Sequence, residues 1–149
     1  MGGNRRKQAA WEPDGDFMKV IIVGRDKELM DPLADRLAEA GLTVIPVENA
    51  SSALAALKKS HAQFVVADSA LLIDQNLGQE LLKRSPLVRL VGFSAHPTIP
   101  GMVEALTSGL VDYFPRTPAY LEAVTKLILS EGRRLARWRN LLLTDGIGE

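Results

Sequence analysis

The chain has 149 residues, enough for one domain around one core. Eighteen Lys and Arg balance eighteen Asp and Glu, so no global field selects nucleic acid or a membrane surface. The absence of cysteine excludes disulfides, thiolate nucleophiles and cysteine zinc sites, and two histidines, His61 and His96, are too few for a histidine metal cluster. No secretory signal and no bilayer-length apolar run is visible, so a cytoplasmic protein is expected. Met1-Gly2-Gly3 invites a myristoylation reading, but Arg6 stands where Ser or Thr is required.

Residues 1–16 read as an N-terminal tail, with a basic Asn4–Lys7 stretch and a helix-breaking Pro13-Asp14-Gly15. Trp11 is either an exposed tail residue or a weakly docked one, with docking slightly favoured. Lys19–Val23 is a buried strand, followed by Gly24, Arg25 and Asp26. The segment from Lys27 to Ala40 places Leu29, Leu33, Leu37 and Ala40 at helical spacing, with Gly41 as its stop. If that helix starts late, Asp31 is its N-cap and Pro32 its first residue. Thr43–Val47 is a second strand, and Pro46 assigns it to a sheet edge because proline cannot donate to a ladder.

A helix over Ser51–Lys59 precedes Phe64-Val65-Val66-Ala67-Asp68, an apolar run ending on one aspartate. Ser69–Asp74 reads as a long, apolar loop. A helix from about Leu77 to Arg84 ends at Ser85-Pro86. Leu87–Phe93 is the fourth strand, ending at Ser94-Ala95. Proline-rich His96–Pro100 leads to a helix over Met102–Ser108, stopped by Gly109. Val111–Phe114 is the fifth strand, and Pro115–Pro118 opens the last helix.

Five strand–helix alternations imply an α/β, flavodoxin-like (βα)5 domain with a parallel five-stranded sheet. The order 2-1-3-4-5 puts the Pro46 strand at an edge. Ligand chemistry in such sheets gathers at the carboxyl ends of the strands, where Asp68 stands.

With these elements in place, the chain resembles the receiver domain of two-component response regulators. The residues that carry the resemblance are Val20–Val23, Phe64–Asp68, Phe93-Ser94-Ala95 and Glu104–Phe114. The resemblance implies that Asp68 is the phosphoacceptor equivalent, Ser94 the hydroxyl that senses a phosphoryl group, and Tyr113 the aromatic switch residue. Arg116 stands where the family carries a lysine.

The departures fall on the metal pocket. Where the family places an acidic pair to hold magnesium, this chain has Gly24 and Arg25, with Asp26 one position late. Magnesium needs near-octahedral oxygen ligands, and Arg25 brings a cation instead. No cofactor is therefore expected, with magnesium implied only if the site still accepts a phosphoryl group. Arginine suits a carboxylate through paired hydrogen bonds, so Arg25 is expected to pair with Asp68 and imitate a neutralised site. The loop after Asp68 also reaches its glycine, Gly78, two residues late.

Two other motif readings are weaker. Gly24 and Glu48 hint at dinucleotide binding, but no G-x-G-x-x-G follows. Asp68, Ser94 and His96 lack the glycines of a nucleophile elbow, and His96 reads as a solvated loop residue.

Leu121, Val124, Ile128, Leu135, Trp138 and Leu142 form an apolar stripe along the last helix, with Glu131 in its one polar slot. Gly132 interrupts the run near the expected domain end. The domain is therefore drawn over 17–131, and 132–149 as a C-terminal helical extension and tail. The stripe continues past that end with Arg133, Arg134, Arg137 and Arg139 on its rim, which favours a helix–helix seam in a homodimer or with an output domain. The opposing reading is that Gly132 breaks the helix and lets the tail fold back.

The expected function is a degenerate receiver: a non-enzymatic, phosphorylation-independent regulatory module that binds a protein partner or a second copy. No membrane is expected as a partner, and nucleic acid is disfavoured. One alternative is a receiver that accepts a phosphoryl group on Asp68 in a phosphorelay. Another is a small nucleotide-binding flavodoxin-like domain.

Overall fold

The computed structural model describes residues 18–94, 98–107, 110–115 and 119–144. The tail with Trp11, the loop residue His96, Arg116 and the last five residues lie outside the described residues. Five strands form one sheet in the order β2-β1-β3-β4-β5. They are β1 Lys19–Val23, β2 Thr43–Val47, β3 Phe64–Asp68, β4 Arg89–Ser94 and β5 Leu110–Pro115, all pairing in parallel. Between and after them run α1 Lys27–Glu39, α2 Ala50–Ser60, α3 Leu77–Arg84, α4 Ile99–Thr107 and α5 Tyr120–Thr144.

The order follows from the residues. The β1, β3 and β4 interiors are apolar runs buried on both faces, as strands covered by helices on either side must be. Pro46 pairs opposite Ile22 and is exposed, and β2 has β1 as its neighbour and lies at the edge. Successive side chains alternate between faces. Val20 and Ile22 pack with Leu33, Leu37, Phe64, Val124 and Ile128 on one side. Ile21 and Val23 pack with Leu57, Val65, Leu77 and Leu81 on the other.

Local signals set most helix ends. Asn49 caps α2 by accepting a hydrogen bond from the Ser52 amide at 2.8 Å. Gly41, at φ 99°, closes α1: its amide donates to the Ala38 carbonyl and the Leu42 amide to the Leu37 carbonyl. That bond pair is the Schellman ending, which needs a left-handed residue and so favours glycine.

The structure decides two alternatives that the sequence left open and corrects one expectation. Helix α1 starts at Lys27 with Asp26 as its N-cap, so Asp31 and Pro32 lie inside it. The amides of Leu29 and Met30 both reach the Asp26 carbonyl, and this first turn forms before Pro32 removes a donor. The segment after Asp68 is not a loop but a π-helical turn over Ala70–Asp74. Its apolar character has a cause: Leu72 is buried in the core under α3. Finally, Gly132 does not break α5. The helix runs 25 residues without interruption, roughly 37 Å at 1.5 Å per residue. Gly132 and Ala136 are both buried, so the face they share is covered rather than frayed.

Candidate functional site

The sheet brings the carboxyl ends of β1, β3 and β4 to one edge. Val23 pairs with Ala67 and Asp68 with Phe93, so Gly24, Asp68 and Ser94 stand within about one residue of the same level. Asp68 and Ser94 are both half-buried. Tyr113 is placed in β5 opposite Gly92, one strand further along.

The Asp68 carboxylate is already engaged. Its Oδ1 accepts a hydrogen bond from the Ala70 amide at 2.8 Å. This bond to the amide two residues on is the local turn that short acidic side chains favour, and here it opens the π turn. Beyond that turn, Gly78 is required by packing: a Cβ there would meet the Leu72 carbonyl oxygen at 3.0 Å and Leu90 Cδ1 at 3.3 Å.

The expected Arg25–Asp68 ion pair does not form among the described residues. Arg25 is exposed and lines a cleft of about 170 Å³ on the β2 side, with Pro46 and Glu48. An exposed pair would contribute only about 0–1 kcal/mol while immobilising a long side chain, so solvation of the arginine competes well. Asp26 is exposed and serves as the cap of α1.

Met30 is a site residue that the leucine spacing concealed. It is buried, and a Cβ built on Gly24 would meet its Sδ at 3.1 Å and its Cε at 3.2 Å. A Cβ at position 24 would therefore press on the thioether, which would have to shift by a few tenths of an ångström. Met30, Leu33 and Leu37 share the buried face of α1. Their i, i+3, i+7 spacing was the signal that could have found it.

The apolar stripe of the last helix divides. Val124 and Ile128 are fully buried in the domain's own core, and Leu121 and Leu135 pack against it. Val124 and Ile128 are therefore not available to a seam between copies, whereas Leu121 and Leu135 are half-buried. Trp138 is 61% exposed. Leu142 is placed in α5, and its side chain, like that of Tyr113, lies outside the described residues. Glu131 is buried and forms ion pairs with Arg89 at 3.0 Å and Arg134 at 3.3 Å, tying α5 to the start of β4.

No protein-family profile matches the chain. It is 28% identical over 138 residues to the DNA-binding transcriptional regulator NtrC of Salmonella typhimurium, a match taking in 87% of this chain and 29% of that protein. The chain thus spans less than a third of the curated relative it matches. An orphan response regulator of H. pylori superposes with a TM-score of 0.70 at 17% identity, covering 81% of this chain and 98% of the other. The receiver domain of the response regulator Ssk1 from Saccharomyces cerevisiae, crystallised with the histidine phosphotransfer protein Ypd1, superposes at 0.68 with 20% identity, covering 80% and 91%. The chain has the receiver fold, and its sequence resembles part of a DNA-binding transcriptional regulator.

The receiver resemblance implies a magnesium ion beside Asp68, and two of the positions expected to hold it carry no carboxylate. Gly24 supplies no ligand and has Met30 packed beside it; Arg25 is a cation. Among the described residues no three His, Asp or Glu side chains are grouped closely enough to hold a metal.

Proposed function

We propose that this receiver-like domain serves two-component signalling in the cytoplasm as a protein-interaction module, not as an enzyme, and that it works without phosphorylation of Asp68. The observation that carries this reading is the packing of Met30 against Gly24. Phosphoryl transfer to a carboxylate concentrates charge that a cation or donor cluster must offset. A glycine offers no metal ligand, and the Met30 thioether packs where its Cβ would stand. The Ala70 amide instead gives Asp68 a structural role at the head of the π turn.

Two exposed features support interaction as the role. Along α4, Ile99, Met102 and Val103 lie three and four residues apart and are 73%, 39% and 55% exposed. Along α5, Trp138 projects from the length of helix that follows Glu131. Aromatic and methionine side chains are enriched at interface centres. The partner is a second copy or another signalling protein, with Arg133, Arg134 and Arg137 exposed around the α5 contact. The structural neighbour crystallised with a phosphotransfer protein illustrates a protein partner of this general kind.

The second reading is phosphorylation on Asp68, favoured by the half-buried carboxylate at a strand end with Ser94 beside it. Incubation with acetyl phosphate and magnesium, followed by intact-mass measurement, decides between the two. The proposed function predicts no phosphoryl adduct. A saturable adduct lost in Asp68→Asn would establish the second reading.

A further inference from the structure

At the end of the sheet opposite Asp68, the C-terminal ends of α2 and α3 converge on a cleft of about 370 Å³ lined by Leu57, Lys58, His61, Arg84 and Ser85. We propose that this cleft is a docking site for an acidic segment of a protein partner, one carrying an apolar residue among its carboxylates.

Charge is the first argument. Lys58 and Lys59 close α2, and Lys83 and Arg84 close α3. All four are exposed. The local counter-charge is Glu80, which pairs with Arg84 at 2.9 Å and Lys83 at 3.6 Å. Lys58 and Lys59 take part in no ion pair among the described residues. Of these cations Lys58 and Arg84 line the cleft itself, with Lys59 and Lys83 next to them in sequence, so the local balance is positive, although the negative ends of the two helix dipoles offset part of it. The chain as a whole is neutral, so this concentration is local.

Shape is the second argument. Leu57 is buried and gives the cleft an apolar wall. His61, which lines the cleft, ends α2 in the left-handed conformation at φ 57°. On the other side Ser85–Val88 forms a tight turn, with the Val88 amide donating to the Ser85 carbonyl at 3.0 Å and Pro86 at its second position. That turn holds Leu87 at 89% exposure, two residues from the lining serine. An apolar side chain presented by a turn next to a cationic cleft suits a peptide with one apolar anchor.

A nucleic acid fits less well. The lining residues include no Phe, Tyr or Trp to stack on bases, and Glu80 interrupts the cationic rim where a continuous basic track would be needed. The site lies on the face of the sheet covered by α2 and α3, whereas Val124 and Ile128 of α5 pack on the other face.

The test uses the isotope-labelled full chain and a short synthetic peptide alternating Glu and Leu, followed by amide chemical shifts. Saturable shifts confined to residues 57–61 and 83–88 are expected, weakening as salt is added. Lys58→Glu with Lys59→Glu should raise the Kd by at least about tenfold. Because charge reversal at a helix end can disturb folding, Lys58→Gln with Lys59→Gln serves as a second variant, with a smaller loss in the same direction. Absent shifts, or shifts centred on Arg133, Arg134 and Arg137, would overturn the proposal. So would equal binding of an all-Glu peptide, which removes the apolar anchor, or tighter binding of single-stranded oligothymidylate at the same residues.

Discussion

Met30 packs against Gly24 at the end of β1, and a double-mutant cycle measures the contact. Met30→Ala deletes a buried side chain and should cost about 2–3 kcal/mol, the low end of the range for core truncations because methionine's surroundings collapse easily. Gly24→Ala inserts a Cβ 3.1 Å from Met30 Sδ. The sulfur end of a flexible side chain can yield, so the overpacking cost should stay near about 1 kcal/mol. Loss of glycine's freedom in the unfolded chain returns about 0.4–1 kcal/mol. The single variant should therefore fall within about 1 kcal/mol of the parent. In the Met30→Ala background the clash is gone, and the same Gly24→Ala change should become stabilising. The coupling should be about 1 kcal/mol and favourable to the double variant. Urea unfolding followed by far-ultraviolet circular dichroism, at constant m-value, gives all four stabilities. Additive effects would mean that a residue-24 Cβ does not press on Met30, and the account of the pocket would fail with it.

Other outcomes follow from the same contacts. Gly78→Ala drives a Cβ against the Leu72 carbonyl, backbone that cannot rotate away, and should cost about 1–3 kcal/mol by urea unfolding. Glu131→Ala strands Arg89 beneath α5 and should cost about 1–2 kcal/mol, discounted because Arg89 is a third exposed; a neutral result would make the ion pair incidental. The Arg84 guanidinium, and after it Lys83, hold the Glu80 carboxyl below its ordinary value of 4.5. A carboxyl lowered on folding contributes stability above its unfolded value and loses it as pH falls through the folded one. Acidification below about 4.5 should therefore loosen α3 in hydrogen exchange, and Glu80→Gln should remove that part of the pH dependence. Trp138→Glu should convert a dimer to monomer in sedimentation at micromolar concentration, and a parent chain that is already monomeric would refute the α5 contact.

The strands and their order were legible because each reports a simple constraint. A strand covered on both faces is a continuous apolar run, and Pro46 can lie only where no ladder bond is asked of it. The position of Asp68 followed from the same runs. The π turn was not legible, because Ala70–Asp74 is apolar for a tertiary reason, the burial of Leu72. Periodicity placed a stripe along α5 but could not say what covers it. Val124 and Ile128 face their own sheet, whereas Trp138 at the same spacing faces solvent. Arg25 shows the limit of charge reasoning: a carboxylate one strand away exerts too little pull to take an exposed guanidinium out of water.

The proposed function requires that the pocket beside Asp68 hold no metal, and a magnesium titration of the isotope-labelled chain tests this most directly. Amide shifts of residues 24–26, 68–70 and 94 should remain unchanged through the low-millimolar range. Saturable shifts confined to those residues, and abolished by Asp68→Asn, would contradict it.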